Sequence, residues 1–281
     1  MNYRHTFHAG NFADVFKHAM LVELLLSLHA KQAPFCYVDT HAGRGLYDLR
    51  GAEAERTHEY KDGVLRLLEA ARLPPLLDTY VRLVRSRGAD REDALTRYPG
   101  SPVIASMLMR EQDRAIACEL RPDDAAALRV ALRGDARFAI HCRDGYEALK
   151  ALLPPEQKRG VVLVDPPFEA QAGEFSLIEQ ALAQAIARWP QAILAVWYPV
   201  KLRESVAPFH RWLARCNARE VLLAELLLHP DNSGLRLNGC GIAIVTPPWQ
   251  LEHRIREWLP ALKDLLAQGR YGSWRVDWLK R

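Results

Sequence analysis

Apolar residues recur in two rhythms along the chain. Short, uninterrupted apolar runs alternate with longer stretches in which apolar positions return every three or four residues. The runs FCYVDT (35–40), AIACEL (115–120), RFAIHC (137–142), GVVLVD (160–165) and AILAVWYPV (192–200) predict five buried strands. PDDAAALRVAL, DGYEALKALL and the stretch near 174–188 predict the helices between them. This alternation is the signature of a doubly wound parallel sheet, an α/β architecture. REVLLAELLL and GCGIAIVT, joined by the short link NSGLRLN, predict an antiparallel pair that closes the sheet near the C-terminus.

Two segments depart from that rhythm. AMLVELLLSLHA is interrupted by Glu23 and is too short to span a bilayer, so it reads as an amphipathic core helix and no membrane association is expected. Between about 46 and 100 the strands stop. There Tyr60, Val64, Leu67 and Leu68, then Leu76, Leu77, Tyr80, Leu83 and Val84, follow helical spacing on either side of Pro74-Pro75. The expected organisation is an α/β domain from residues 1–45 and 101–281, with 46–100 as an inserted helical subdomain of two helices.

Composition narrows the class. The 281 residues are 49% hydrophobic and 26% charged, which supports a packed core and excludes a disordered chain. A net charge of +4 favours a polyanionic partner without requiring one. The five cysteines are scattered, with no C-x-x-C pair, so neither a disulfide framework nor a zinc site is expected. MNYRHTFHAG lacks the apolar core of a signal peptide, and a reducing, cytoplasmic location follows.

The candidate chemistry lies where strands end. Asp39, Glu119, Asp144 and Asp165 stand at or just beyond the ends of four successive strands. One such carboxylate is ordinarily a helix N-cap; four along one sheet edge point to a ligand. Gly43 and Gly45 in DTHAGRG let the backbone approach that ligand. In dinucleotide folds an acid on the ribose follows the glycines by roughly 20 residues, and Glu119 fits only if 46–100 is an insertion. No phosphate-cradling G-x-x-x-x-G-K-[ST] is present. A ligand with a ribose, an adenine amine and a cationic centre but no phosphate, such as S-adenosylmethionine, suits an acid-lined edge.

The order D-x-x-x-G-x-G, then D-P-P-F, resembles the S-adenosylmethionine-dependent N6-adenine methyltransferases, whose fourth motif is [DNS]-P-P-[FYW]. YRHTFHAGNFADVFKH, DTHAGRGLYDL, YPGSP, CEL, DGY and DPPF together resemble the large-subunit ribosomal RNA methyltransferase J family over essentially the whole chain. The resemblance implies a Rossmann-like methyltransferase fold, with a mostly parallel seven-stranded sheet and an antiparallel C-terminal strand. It implies methyl transfer from S-adenosylmethionine, leaving S-adenosylhomocysteine, to N6 of one adenine of 23S rRNA (adenine 2030), with no metal. Cofactor contacts would fall on His18, His41, Gly43, Ser101, Glu119, Asp144, Gly145 and Asp165. Tyr3, His5, Lys17 and Phe168 would meet the target base, and Asp165, Pro166 and Phe168 would carry the chemistry. A monomer is expected, with a dimer left open.

Physical reasons stand behind that assignment. The exocyclic amine of adenine is a poor nucleophile because its lone pair is delocalised into the ring. The Asp165 carboxylate and the Pro166 carbonyl can accept its two N–H groups and turn the lone pair toward the methyl. The prolines fix the backbone, and Phe168 offers a stacking surface to an extruded base. Blander readings compete at several positions. Ser101 suits a plain N-cap, Tyr3, His5 and His8 suit a docked terminal segment, and the arginines of 46–100 suit a solvated face, although they could also track RNA phosphates. IVTPPWQ (244–250) repeats the Pro-Pro-aromatic shape with Thr246 as its acceptor and reads as structural punctuation. Other functions remain open at this stage: a DNA N6-adenine methyltransferase, a methyltransferase for protein glutamine, or a catalytically silent RNA-binding or assembly factor on the same scaffold.

Overall fold

The computed structural model describes residues 5–168, 171–232, 234 and 236–281. A 3-10 turn, His5–Phe7, leads into α1 (Phe12–Leu28), whose N-cap Asn11 accepts the backbone N–H groups of Ala13 and Asp14. β1 (Cys36–Asp39) and β2 (Leu46–Asp48) follow, then α2 (Ala52–Thr57), α3 (Val64–Leu68), α4 (Pro75–Gly88) and β3 (Arg97–Pro99). The second half of the alternation runs α5 (Ser101–Leu108), β4 (Arg114–Glu119), α6 (Pro122–Ala131), β5 (Phe138–Cys142), α7 (Gly145–Leu152) and β6 (Gly160–Val164). The chain closes with α8 (Gln171–Arg188), β7 (Ile193–Val200), α9 (Arg203–Arg215), β8 (Val221–Leu227), β9 (Gly239–Val245), α10 (Leu251–Leu266) and β10 (Ser273–Lys280).

Among the described residues the main sheet has eight strands, in the order β10-β8-β9-β7-β6-β1-β4-β5. The pairs from β7 to β5 are parallel, β9 runs antiparallel to both β7 and β8, and β10 is antiparallel to β8. The expected count of seven is therefore corrected to eight, with β10 as the added edge strand. Its pattern was readable: Trp274, Val276 and Trp278 alternate with polar residues, the period of a half-buried strand. Arg281 lies over the Trp278 ring at 4.9 Å, and the Trp278 indole N–H donates to Glu252 on α10.

α1 is not amphipathic as expected. It is buried almost all round, between the sheet and helices α4, α5 and α10. Its polar residues consequently need internal partners, and Glu23 meets Arg254 of α10 at 2.5 Å. β2 and β3 form a separate antiparallel ribbon, so the segment carrying α2, α3 and α4 leaves and returns at one point. That segment holds three helices instead of two: α3 and α4 flank Pro74-Pro75 as expected, and the short α2 (Ala52–Thr57) precedes them, opened by Gly51 and ended by left-handed His58. Val64, Leu67, Tyr80 and Val84 share one apolar cluster with α1 and α10. Four of the segment's arginines (Arg50, Arg66, Arg82 and Arg85) are tied to its own aspartates.

The C-terminal half of the sheet is fastened by Glu225, fully buried on β8. Its carboxylate accepts from both ends of the site: Arg203 of α9 at 2.8 and 2.9 Å, Arg275 of β10 at 2.7 Å, and the Tyr198 hydroxyl of β7 at 2.8 Å. Burial alone would push this carboxyl up, but the two guanidiniums outweigh it and hold it below the usual range. Glu225→Ala should lower unfolding free energy by about 2–3 kcal/mol. That is less than the roughly 3–5 kcal/mol of a fully enclosed pair, because both guanidiniums keep some solvent access. Urea unfolding measures it; a loss below about 0.5 kcal/mol would make the cluster ornamental to stability.

Candidate active site

A cavity of about 1040 Å³ opens at the carboxyl ends of β1, β4, β6 and β7. His5, Lys17, His18, His41, Gly43, Ser101, Glu119, Asp144, Gly145, Asp165, Pro166 and Phe168 all line it, so the structure gathers every expected site residue within its described part. Tyr3 lies outside the described residues.

β1 supplies the floor. Its last residue, Asp39, is fully buried and accepts the Tyr37 hydroxyl at 2.5 Å and the Ser101 hydroxyl at 2.7 Å. Ser101 is thus not an N-cap: Gly100 holds that position, and the serine hydroxyl crosses to β1. Burial pushes the Asp39 carboxyl up to about 6, against the two hydrogen bonds. The turn beyond β1 needs its glycines, since Gly43 and Gly45 have φ of +60° and +76°. Gly43 also donates its N–H to Glu119 at 2.9 Å, while Arg121 N–H reaches the other oxygen at 2.8 Å. Glu119, at the end of β4, is thereby aimed along the cavity wall.

Asp144 does act as the N-cap of α7, accepting from Tyr146 and Glu147 backbone N–H groups at 2.8 and 3.0 Å. Both bonds land on Oδ1, so the second oxygen takes no part in capping. Gly145 brings α7 against the β1 turn so closely that a Cβ there would sit 2.0 Å from the Thr40 carbonyl. His41 meets the Thr40 hydroxyl through Nδ1 at 2.8 Å and the Tyr146 ring at 5.1 Å. The Tyr146 hydroxyl in turn bonds Glu174 of α8 at 2.5 Å.

The loop after β6 holds Asp165, Pro166, Pro167 and Phe168. Phe168 has φ of +50°, a left-handed backbone that is costly for an aromatic residue. Its ring is held between Phe175, at 5.3 Å, and Trp197 of β7, at 5.7 Å, both nearly perpendicular to it. Asp165 is gripped through Oδ2 by the Lys17 ammonium, which also bonds Asp14 Oδ1 at 2.8 Å. Asp14 Oδ2 accepts from Gly10 N–H and meets His5 Nε2, both at 2.9 Å. Burial would push the Lys17 ammonium down, but Asp14 and then Asp165 outweigh it and hold its pKa well above the ordinary value. A line of polar contacts thus runs His5–Asp14–Lys17–Asp165 from the N-terminal turn to the cavity. His8 meets Glu59 through Nδ1 at 3.0 Å.

A family model described as ribosomal RNA large subunit methyltransferase D, RlmJ, matches residues 32–280. The chain belongs to the RlmJ family. Ribosomal RNA large subunit methyltransferase J of Haemophilus influenzae and that of Escherichia coli K12 are each 38% identical over 279 residues, covering 99% of both chains. The crystal structure of protein LPL1258 from Legionella pneumophila superposes with a TM-score of 0.87 at 33% identity, covering 96% of this chain and 98% of that one.

In this RlmJ-family site, sequence reasoning missed Asp14, Tyr98, Tyr146, Glu174 and Trp197. Asp14 had a signal: Asp14, Lys17 and His18 share one face of a helix otherwise apolar. The others are brought in by tertiary packing. His18 Nδ1 meets the Tyr98 hydroxyl at 2.7 Å, and that hydroxyl meets Tyr80 at 2.8 Å.

Two histidines are kept neutral here. Burial, then the Lys17 charge, lowers His18 to about 3, and burial lowers His41 to about 4. The folded state therefore binds fewer protons than the unfolded one below the ordinary histidine value of 6.5. Their stabilisation is complete above that value and is lost as pH falls through about 4 for His41 and about 3 for His18. Asp39 acts oppositely: its contribution is full below about pH 4 and fades as pH rises through about 6. Between these limits the two histidines outweigh the one carboxyl. The melting temperature should fall on acidification below about pH 6, and His41→Asn should flatten that slope. An equal slope in the variant would remove His41 as a cause.

Proposed function

We propose that this chain transfers the methyl group of S-adenosylmethionine to the exocyclic N6 of one adenine in 23S rRNA, adenine 2030 by family resemblance. The observation that carries the proposal is Asp165, whose Oδ2 is tied to Lys17 while its cavity wall continues into the strained, ring-braced Phe168. The names of the relatives support an rRNA substrate. The same reading takes residues 1–45 and 101–281 as the catalytic domain and 46–100 as an inserted subdomain, in a cytoplasmic monomer that uses no metal.

The donor set fits the cofactor. Glu119 suits a ribose diol, the uncommitted oxygen of Asp144 suits an adenine amine, and the positive-φ turn at Gly43 keeps side chains out of the space between them. His18, His41, Ser101 and Gly145 complete that wall. S-adenosylmethionine supplies, when bound, a methyl on an electron-poor sulfonium. Everything else is positioning by this chain. The target base stacks on Phe168, with His5, Lys17 and Tyr3 assigned to its surroundings. Asp165 accepts one N6–H and the Pro166 carbonyl the other, which turns the nitrogen lone pair toward the methyl for in-line attack. Lys17 holds the Asp165 carboxylate in place through Oδ2, so no reorganisation is needed as the amine gains positive charge. Asp165, hydrogen-bonded to the departing N–H, is the first acceptor within reach of the released proton.

Asp165→Ala should reduce methyl transfer at least about hundred-fold while leaving cofactor affinity within a few-fold, since its role lies at the transition state. Labelled S-adenosylmethionine with unmodified 23S rRNA, followed by nucleoside analysis, measures this, with DNA and bulk protein as parallel acceptors. N6-methyladenosine in the RNA, absent with the variant, is the expected result. Label confined to DNA or protein would overturn the acceptor; near-normal turnover in the variant would overturn the role of Asp165.

A further inference from the structure

Most cations lining the cavity are already committed. Lys17 is paired to Asp14 and Asp165, and Arg44 and Arg121 lie against Asp124 at 3.4 and 3.2 Å. Lys201 and Arg236 line the same cavity and have no carboxylate partner among the described residues. Arg203, two positions from Lys201, shows the contrast, being locked to Glu225 and Asp231.

The placement of the two unpaired cations is built. Trp197, Pro199 and Lys201 all line the cavity, at alternate positions along β7 and just past its end. Trp197 braces Phe168, so Lys201 stands on the same face about 13 Å further out, at roughly 3.3 Å per residue. Arg236 comes from the β8–β9 connection. Asn238, fully buried, ties the two together: its side-chain amide donates to the Lys201 carbonyl at 2.6 Å, and its side-chain oxygen accepts Arg236 Nε at 3.2 Å. Its backbone carbonyl accepts the N–H groups of Leu228 and His229, and its own N–H reaches the Val200 carbonyl. His229 also lines the cavity; its pKa is lowered by partial burial and then by Arg236, which lies close by. Two cations without a carboxylate counter-ion among the described residues, on the wall of one cavity, make that wall attractive to an anion.

We propose that Lys201 and Arg236, positioned by Asn238 and flanked by the His229 ring, clamp the RNA phosphates next to the extruded adenine. The clamp rests on the proposed rRNA reaction and adds the surface on which the backbone lies. Base and backbone are then read from a single strand: Trp197 braces the aromatic platform, and Lys201 takes the phosphate. Contacts of this kind position the nucleic acid without reading its sequence.

The test compares wild type with Lys201→Ala/Arg236→Ala, using a 23S rRNA fragment that contains adenine 2030 and a DNA duplex of equal length. Binding is measured across a salt series, and methyl transfer is measured as KM and kcat. The double variant should lower the slope of log K against log salt by about 1.4–1.8, for two phosphates at roughly 0.7–0.9 each. Its KM for RNA should rise on the order of ten-fold from the same lost contacts, with cofactor affinity unchanged. Lys201→Arg/Arg236→Lys should recover most of the slope. An unchanged slope and KM would overturn the clamp, as would a loss seen on DNA and not on RNA. If wild-type protein transfers no methyl to RNA, the proposed function falls, while the RNA salt slopes still decide the clamp.

Discussion

The buried ammonium of Lys17 is the constraint around which the site is organised. α1 is enclosed on nearly every side, so a lysine there, reaching only the cavity wall, has little water to receive its charge, and a buried unpaired charge is not tolerated. Two carboxylates solve the problem. Asp14, one turn earlier on the same helix, and Asp165, at the end of β6, both bond the ammonium. The helix face and the sheet edge are therefore locked in register by charge as well as by packing. Asp14 then holds His5 and the Gly10 amide, which fixes where the N-terminal turn can lie.

The same economy explains the division of labour among the acids at the sheet edge. Asp39 is fully enclosed and is satisfied by hydroxyls, with its carboxyl pushed up to about 6, so it organises the floor and does not reach the cavity. Glu119 and Asp144 each use backbone N–H groups to fix their orientation and still face the cavity. Among the described residues, Asp165 is the one of these four acids paired to a cation. Four carboxylates in similar sequence positions thus have different electrostatic surroundings, and only the last is anchored beside an aromatic platform.

What could be read from sequence was governed by period and local chemistry. The parallel strands were legible because each is a continuous apolar run ending in a polar residue, and the carboxylates were legible because they sit at those ends. β10 carried the signal of a strand in its alternation of Trp274, Val276 and Trp278, yet it is an edge strand paired on one side only, without the continuous apolar run of the buried strands. α1 was misread as amphipathic because Glu23 looks like a polar face; the polar positions are internal contacts spread round a buried helix. The Tyr98–His18 contact and the Tyr146–Glu174 bridge had no sequence signal, since each joins residues from distant elements that only packing brings together.

The two Pro-Pro-aromatic segments show how little the letters decide without topology. Both follow a strand, yet β6 is parallel to β1, whereas β9 runs antiparallel to β7 and so ends at the opposite edge of the sheet. Thr246 accordingly lies beside the Glu220 and Pro190 carbonyls, where the neighbouring strands begin. The backbones differ too. In the β9 segment Thr246 is left-handed, as is Gln250 beyond the tryptophan, so the chain turns before its prolines and leaves Trp249 85% exposed. In the β6 segment the left-handed residue comes after both prolines, at Phe168, whose ring packs against Trp197 and Phe175. A left-handed phenylalanine is held only where its surroundings over-determine it, and here they are the aromatic neighbours of β7 and α8. The strain at Phe168 is thus tied to the direction of the strand that precedes it: reversed, the same tetrapeptide would present its aromatic ring to solvent and its acceptor to the wrong edge.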